Sequence, residues 1–200
     1  MNFSAARLAP RTLLGALSLL LSACAGVAPP AAAPGIAAVA PQEPPVALVN
    51  SLTWTNPLSG QRDGARSSWP LSGRDGYDEA FPLAQLKHCG ADGACAWGVM
   101  RAARSIAHVR PGPDGVLLDL TLELHVDRRQ QVHQGTFNAA MAIPSDVPAL
   151  QVNRVEQRSL SLRYGKVEHL ELDYGVQFDV CVQRYDAAGK AQDVCPIPYI

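Results

Sequence analysis

The sequence predicts an all-β protein, mainly antiparallel, folded as a β-sandwich or a small barrel of about seven strands. The first observation is the alternation in residues 115–127, GVLLDLTLELHVD, where every second residue from Val116 to Val126 is apolar. The second is a matching alternation from Leu172 to Val182 in ELDYGVQFDVCVQ. A period of two is typical of a strand with one face in a core and one in water. The third is a series of turn signals at short spacing.

Further strands are expected at 46–56, 136–143 and 158–164, and turn-forming residues separate them. Glycine adopts positive φ without strain, proline ends strands, and the Asp side chain accepts hydrogen bonds from the nearby backbone. Clusters of these residues therefore favour chain reversals. The expected reversals are RPGPDG (110–115), DRRQQ (127–131), YGK (164–166) and DAAGK (186–190), together with LSGQRDG (58–64) and LSGRDG (71–76).

Residues 96–109, AWGVMRAARSIAHV, fit two structures. A strand is favoured because the turn signals that follow lead directly into the expected strand at Val116. The alternative is one short helix, since Val99, Ala102, Ile106 and Val109 would lie on one stripe of it.

The first 23 residues have the layout of an export signal. A positive start with Arg7 and Arg11 precedes a short apolar run, TLLGALSLLLSA, that is too short for a membrane span. The run ends in Leu21-Ser22-Ala23-Cys24, which resembles the lipobox of bacterial lipoproteins. The resemblance implies cleavage before Cys24, a diacylglycerol on its sulfur, and acylation of the new amino terminus by a fatty acid such as palmitate. The alternative is an ordinary secretory signal in which Cys24 is incidental.

Residues 24–45 are expected to form a tether between the lipidated Cys24 and a domain at 46–200. Pro and Ala dominate AGVAPPAAAPGIAAVAPQEPP, so this segment should be extended and unpacked. In lipoproteins, Ala25 and Gly26 after the cysteine, without Asp, imply the outer membrane. Which face of that membrane carries the domain is left open.

Four further cysteines are expected to form disulfides, because an exported chain enters an oxidising compartment. Three connectivities are possible. Cys89–Cys95 with Cys181–Cys195 is favoured: a five-residue loop separates the first pair, and a hairpin centred on Ala188 would place the second pair face to face. Neither spacing matches the close C-x-x-C pairs of zinc sites, so no metal is expected.

Charge excludes nucleic acid as a partner. The chain carries 17 basic and 18 acidic residues, and removal of the signal takes away two arginines, which leaves a net charge near −3. A nucleic-acid binder would show a basic stripe. The expected attachment is to a membrane through the lipid, with an envelope protein as partner.

No catalytic residue or cofactor is predicted. The sequence has no G-x-S-x-G, no H-E-x-x-H, no phosphate-binding glycine loop and no dinucleotide fingerprint. His125 and His133 flank a reversal, but unbroken alternation with Phe137, Ala139 and Met141 facing inward would put His133 inside and His125 outside. A metal site between them is therefore not expected.

Three functions remain. The favoured one is a non-catalytic lipoprotein whose β domain binds or helps assemble another envelope component, which an exposed edge strand would support. The second is a carrier of a small apolar ligand, which an apolar cleft would support. The third is an envelope hydrolase with a dispersed site, which clustered acids with perturbed pKa values would support.

Overall fold

A computed structural model describes residues 45–71 and 76–199. Period-two segments become long strands, and several shorter strands lie between them. In chain order they are β1 Val46–Thr55, β2 Arg62–Pro70, β3 Tyr77–Ala80, β4 Ala84–Cys89, β5 Cys95–Pro111, β6 Gly115–Asp127, β7 Arg129–Gln134, β8 Phe137–Ala142, β9 Val152–Arg163, β10 Glu168–Glu171, β11 Gln177–Tyr185 and β12 Ala191–Gln192. The one helical element among these residues is a 3-10 turn at Asp173–Gly175.

Two antiparallel sheets and one separate hairpin contain these strands. The first sheet has the order β10-β11-β1-β2, with β12 also on β11. The second has the order β3-β5-β6-β9, with β4 also on β5, and β7 pairs only with β8. The prediction of an all-β, mainly antiparallel fold is confirmed. Because neither sheet closes on itself, the architecture is the sandwich and not the barrel. The described residues form twelve strands, not about seven, because β2, β3, β4, β7, β10 and β12 lack a clear apolar alternation. The expected reversal at 127–131 is only partly correct, since Arg129–Gln131 lie within β7.

The core lies between the inner faces of the two sheets. Val116, Leu118, Leu120, Leu122, Leu124 and Val126 of β6 are all buried, as their alternation predicts. From the other sheet, Leu48 and Leu52 of β1 and Phe178 of β11 join the same cluster. Burial of each such side chain contributes about 1.5–3 kcal/mol relative to exposure, so this cluster is the main stabilising element.

Residues 96–109 lie in β5, and the helix alternative is wrong. β5 pairs with β6 along one side and with β3 and β4 along the other. A bulge interrupts the pairing with β6 between Ala107 and Arg110, where His108 has a φ of 52°. The backbone hydrogen bonds that β5 forms with strands on both of its sides stabilise the extended conformation more than the apolar stripe would stabilise a helix.

Both expected disulfides are present. Cys89 and Cys95 are directly opposite each other in the β4–β5 hairpin, with Cα atoms 4.0 Å apart. Cys181 and Cys195 have Cα atoms 5.8 Å apart, and the pairing of Tyr185 with Ala191 centres their hairpin on Ala188. The turn contains the predicted DAAGK residues, with the Asp186 carboxylate accepting from two backbone N–H groups.

The chain after β12 covers the outer face of the first sheet. Cys195 and Ile197 pack on Val49 and Cys181, which explains why β1 is buried on both faces. The expected turn at 58–64 is only partly correct: the reversal precedes Arg62, and Asp63 and Gly64 lie within β2. Most of the second expected turn, at 72–75, lies outside the described residues.

Candidate functional site

The predicted site residues divide into two groups. Cys24, the expected signal and the expected tether up to residue 44 lie outside the described residues. The four bridged cysteines are structural, since each sulfur is bonded to another. In the described part of the chain no helix is long and apolar enough to cross a membrane.

The most prominent candidate binding element is the open side of β9. This strand is 12 residues long, with neither Pro nor Gly, and it ends the second sheet. It pairs with β6 without a register shift from Val152–Val126 to Arg163–Gly115. An edge strand of this length is a template for pairing with another chain.

The backbone direction of β9 follows from its pairing. Beyond the last ladder pair, the Tyr164 N–H donates to the carbonyl oxygen of Asp114, at 3.4 Å, so Tyr164 points its backbone groups toward β6. Alternation along an antiparallel strand then turns the N–H and C=O of the odd-numbered residues toward the open side. These residues are Asn153, Val155, Gln157, Ser159 and Ser161, and all are exposed. Among the described residues, no other backbone group bonds to them.

The even-numbered side chains of β9 carry charge along the same edge. Arg154 pairs with Glu156 at 2.6 Å and with Asp173 at 3.2 Å, and Arg158 also pairs with Glu156. Inward-pointing charges on an edge strand oppose indiscriminate pairing. The backbone of this edge is therefore available for hydrogen bonding, and its charged side chains limit which strands can pair with it.

The other sheet edges offer less. β3 and β4 are four and six residues long and share one edge, and β10 and β12 are four and two residues long. β2 has nine residues and ends at Pro70. Short strands and proline are the usual means of closing an edge. β9 is the longest edge strand in the described part of the chain.

Two clefts lie on the outer face of the second sheet, next to the β7–β8 hairpin. The larger, of about 430 Å³, is lined by Arg101, Gln130, Gln131 and His133 with small apolar residues between them. Sites for apolar ligands are lined mainly by hydrophobic side chains. This lining does not match the apolar cleft expected of a carrier.

The histidine register differs from the expectation. β7 and β8 form a tight hairpin at Gly135–Thr136 that pairs Gln134 with Phe137. Residues directly opposite each other in a hairpin share a face, so Phe137 lies on the face of Gln134 and His133 lies on the other face, with Asn138. Phe137 does not face inward as expected, since 52% of it is exposed. His133 contacts Asn138. No group of three His, Cys, Asp or Glu side chains within the described ranges could hold a metal ion.

Among the acids that the structure describes, Asp119 alone has a clearly shifted pKa. The Ser159 hydroxyl donates to it at 2.6 Å and the His108 ring lies 2.8 Å from its other oxygen, and these two bonds lower the pKa. A general acid in a hydrolase needs a raised pKa. This arrangement therefore stabilises a carboxylate on the surface, and the shift of the Asp119 pKa is opposite to the one that a general acid needs.

Comparisons with known proteins found no match among family models, curated proteins or solved structures. The candidate function therefore depends on the geometry of the chain and on its sequence.

Proposed function

We propose that this protein is an outer-membrane lipoprotein whose β domain binds another envelope protein by strand addition along β9. The observation that carries the proposal is the row of outward N–H and C=O groups from Asn153 to Ser161, which bond to no other backbone group in the described part of the chain. A partner segment in extended conformation would satisfy them and lengthen the second sheet by one strand.

The charges of β9 would select the partner. A segment added along β9 would place alternate side chains beside Arg154, Glu156 and Arg158, which already form a paired network. Segments with like charges opposite these positions would be disfavoured, because like charges directly opposite across strands are destabilising. Backbone bonds would thus supply affinity, and the charged row would supply specificity.

The amino-terminal sequence supports attachment and reach. Lipidation of Cys24 would hold the chain at the membrane, since several acyl chains together make anchoring durable. The Pro-rich residues 25–45 could extend to about 60 Å at roughly 3.1 Å per residue. β1 would then begin clear of the headgroups, with β9 able to meet a partner in the envelope.

Site-specific photo-crosslinking of the full chain in intact cells tests the proposal. A photoreactive residue at Val155, on the open side of β9, is expected to capture a reproducible envelope protein. The matched control is the same residue at Leu58, which is 83% exposed but lies in the β1–β2 connection. Equal capture profiles from the two positions, or no capture from Val155, would contradict binding at β9.

Intact-mass measurement of the protein from its host tests the anchor separately. The expected mass is that of a chain starting at Cys24 with added acyl groups. A chain starting at Met1, or a trimmed chain with no fatty mass, would contradict the anchor and leave the binding edge to be judged by crosslinking.

A further inference from the structure

The guanidinium of Arg101 has no partner in the described part of the chain. Arg101 lies on β5, on the outer face of the second sheet, and is half-buried. The other half-buried arginines each have a hydrogen bond, an ion pair or a ring contact: Arg66 stacks on Tyr199, Arg128 donates to the Val147 carbonyl oxygen, Arg154 pairs with Glu156, and Arg184 pairs with Asp193.

An unpaired and partly desolvated cation favours an anion from outside the chain. Arg101 is half-buried as a residue, and a guanidinium that loses water beside a sheet is normally matched by charged or hydrogen-bonding partners. Guanidinium binds carboxylate with two parallel hydrogen bonds. The position of Arg101 in the wall of the 430 Å³ cleft provides room for such a ligand.

The remaining groups of this cleft suit a peptide. The side-chain amides of Gln130 and Gln131 have no hydrogen-bond partner among the described residues, and each can both donate and accept. Peptide N–H and C=O groups need both functions. Ala80 and Ala103 are small, so a backbone could approach the sheet closely here.

A second cleft, of about 290 Å³, continues the first and has opposite charge. The two share Ala80, Ala103 and His133. The second is also lined by Asp78 and Glu123, and by Glu79 and Arg104, which neutralise each other as an ion pair. Asp78 is opposite Ser105 in the β3–β5 ladder, four residues along β5 from Arg101, and Glu123 is opposite Ala103, two residues from Arg101. Four residues of strand cover roughly 13 Å, so the acidic lining begins at about half that distance from Arg101 and reaches the full distance at Asp78.

We propose that this groove binds the carboxyl-terminal end of a short cationic peptide. The terminal carboxylate would lie on Arg101, and an ammonium group near Asp78 and Glu123. Three extended residues span about 10 Å, and a lysine side chain covers the remaining distance. Because consecutive side chains of a strand point to opposite faces, the half-buried Gln130 amide, on the same face of β7 as the buried Val132, would bind the intervening peptide groups. This site is separate from β9 and does not depend on strand addition.

Calorimetry with the purified full chain tests the proposal. The probes are the tripeptide Lys-Ala-Ala and its carboxyl-terminal amide. The two differ only in the terminal carboxylate that Arg101 would bind. The free acid is expected to bind about tenfold or more tightly than the amide, and Arg101→Gln should remove that difference. Glu123→Gln should weaken both peptides.

The control variant is Arg110→Gln, which removes an exposed arginine of the same strand outside the groove. It is expected to bind both peptides as the unchanged protein does, and far-ultraviolet circular dichroism checks that all variants fold. Equal affinity for acid and amide, or no binding of either, would overturn the proposal. Binding of inorganic phosphate without the peptide acid would also overturn it and identify a phosphate site. Crosslinking from β9 would be unaffected by any of these outcomes.

Discussion

The guanidinium of Arg104 lies 2.8 Å from the carboxylate of Glu79, between the two sheets. The Ser67 hydroxyl donates to the same carboxylate at 2.7 Å. Asn50, with its amide oxygen toward the guanidinium, accepts from Arg104 Nε at 3.2 Å. Burial lowers the pKa of Arg104, and the charge of Glu79 opposes that shift. The network joins β1 and β2 of one sheet to β3 and β5 of the other.

Removal of one partner of this pair should destabilise the fold. Glu79→Gln would leave Arg104, whose side chain is fully buried, without its counter-ion, and we expect a loss of about 3 kcal/mol in the free energy of unfolding. The combined change Glu79→Leu and Arg104→Met should recover most of that loss. Denaturant unfolding measures both, and an unchanged midpoint for Glu79→Gln would contradict a stabilising role for the pair.

Arg104 also shows why the sequence left 96–109 ambiguous. Arg104 occupies a core-facing position of β5, where alternation would require an apolar residue. Its counter-ion comes from β3, and no local pattern in the sequence indicates that pairing. The long alternating strands could be predicted because apolar residues at every second position are enough to show which face of a strand is buried.

The two disulfides should differ in their contribution to stability. Cys181 and Cys195 are buried with Val49 and Ile197, whereas the Cys89–Cys95 bridge lies at an exposed hairpin end. Replacement of Cys181 and Cys195 by Ala should cost about 3 kcal/mol or more and release the segment after β12. Replacement of Cys89 and Cys95 by Ala should cost less. Thermal unfolding and protease cleavage near residue 197 measure the two effects, and equal losses would contradict this account.

Gly115 is required at the start of β6. A Cβ there would lie 2.1 Å from the Leu162 carbonyl oxygen, so Gly115→Ala must displace β9 backbone. We expect a loss of about 2 kcal/mol or more, comparable to overpacking in a core. Gly112→Ala is the matched control, because its Cβ would be 3.6 Å from the nearest atom. Equal stability of the two variants in denaturant unfolding would show that β9 is less tightly paired than described.

The lowered pKa of Asp119 predicts an acid-dependent contribution to stability. Because its folded pKa is below the ordinary value of 3.8, its contribution is present above that value and is lost as the pH falls below it. Ser159→Ala removes the strongest cause and should raise the pKa of Asp119 toward 3.8. Ser161→Ala, on the same face of β9, should leave it unchanged. Carboxyl titration by nuclear magnetic resonance decides between these outcomes.

The candidate binding edge could not be predicted from the sequence. RSLSLRY indicates a strand, but no local pattern indicates that β9 ends its sheet, since strand order depends on distant pairing. The β7–β8 hairpin was missed for another reason: Gly135–Thr136 is a weak turn signal without Asn or Asp. Arg101 was unremarkable in the sequence because only the fold shows that it has no partner.

Two proline variants separate the open side of β9 from its paired side. Gln157→Pro removes an outward N–H, which the ladder with β6 does not use, and edge strands tolerate proline at such positions. Arg158→Pro removes an N–H directed toward β6 and should lower the free energy of unfolding by about 3 kcal/mol. Circular dichroism during denaturant unfolding checks this contrast before any binding measurement.

The most direct measurement is photo-crosslinking from Val155 in intact cells, with and without Gln157→Pro. Strand addition predicts that a folded Gln157→Pro protein loses capture of the envelope partner, because an outward backbone bond of β9 is gone. Undiminished capture by the folded variant would contradict binding through the β9 backbone.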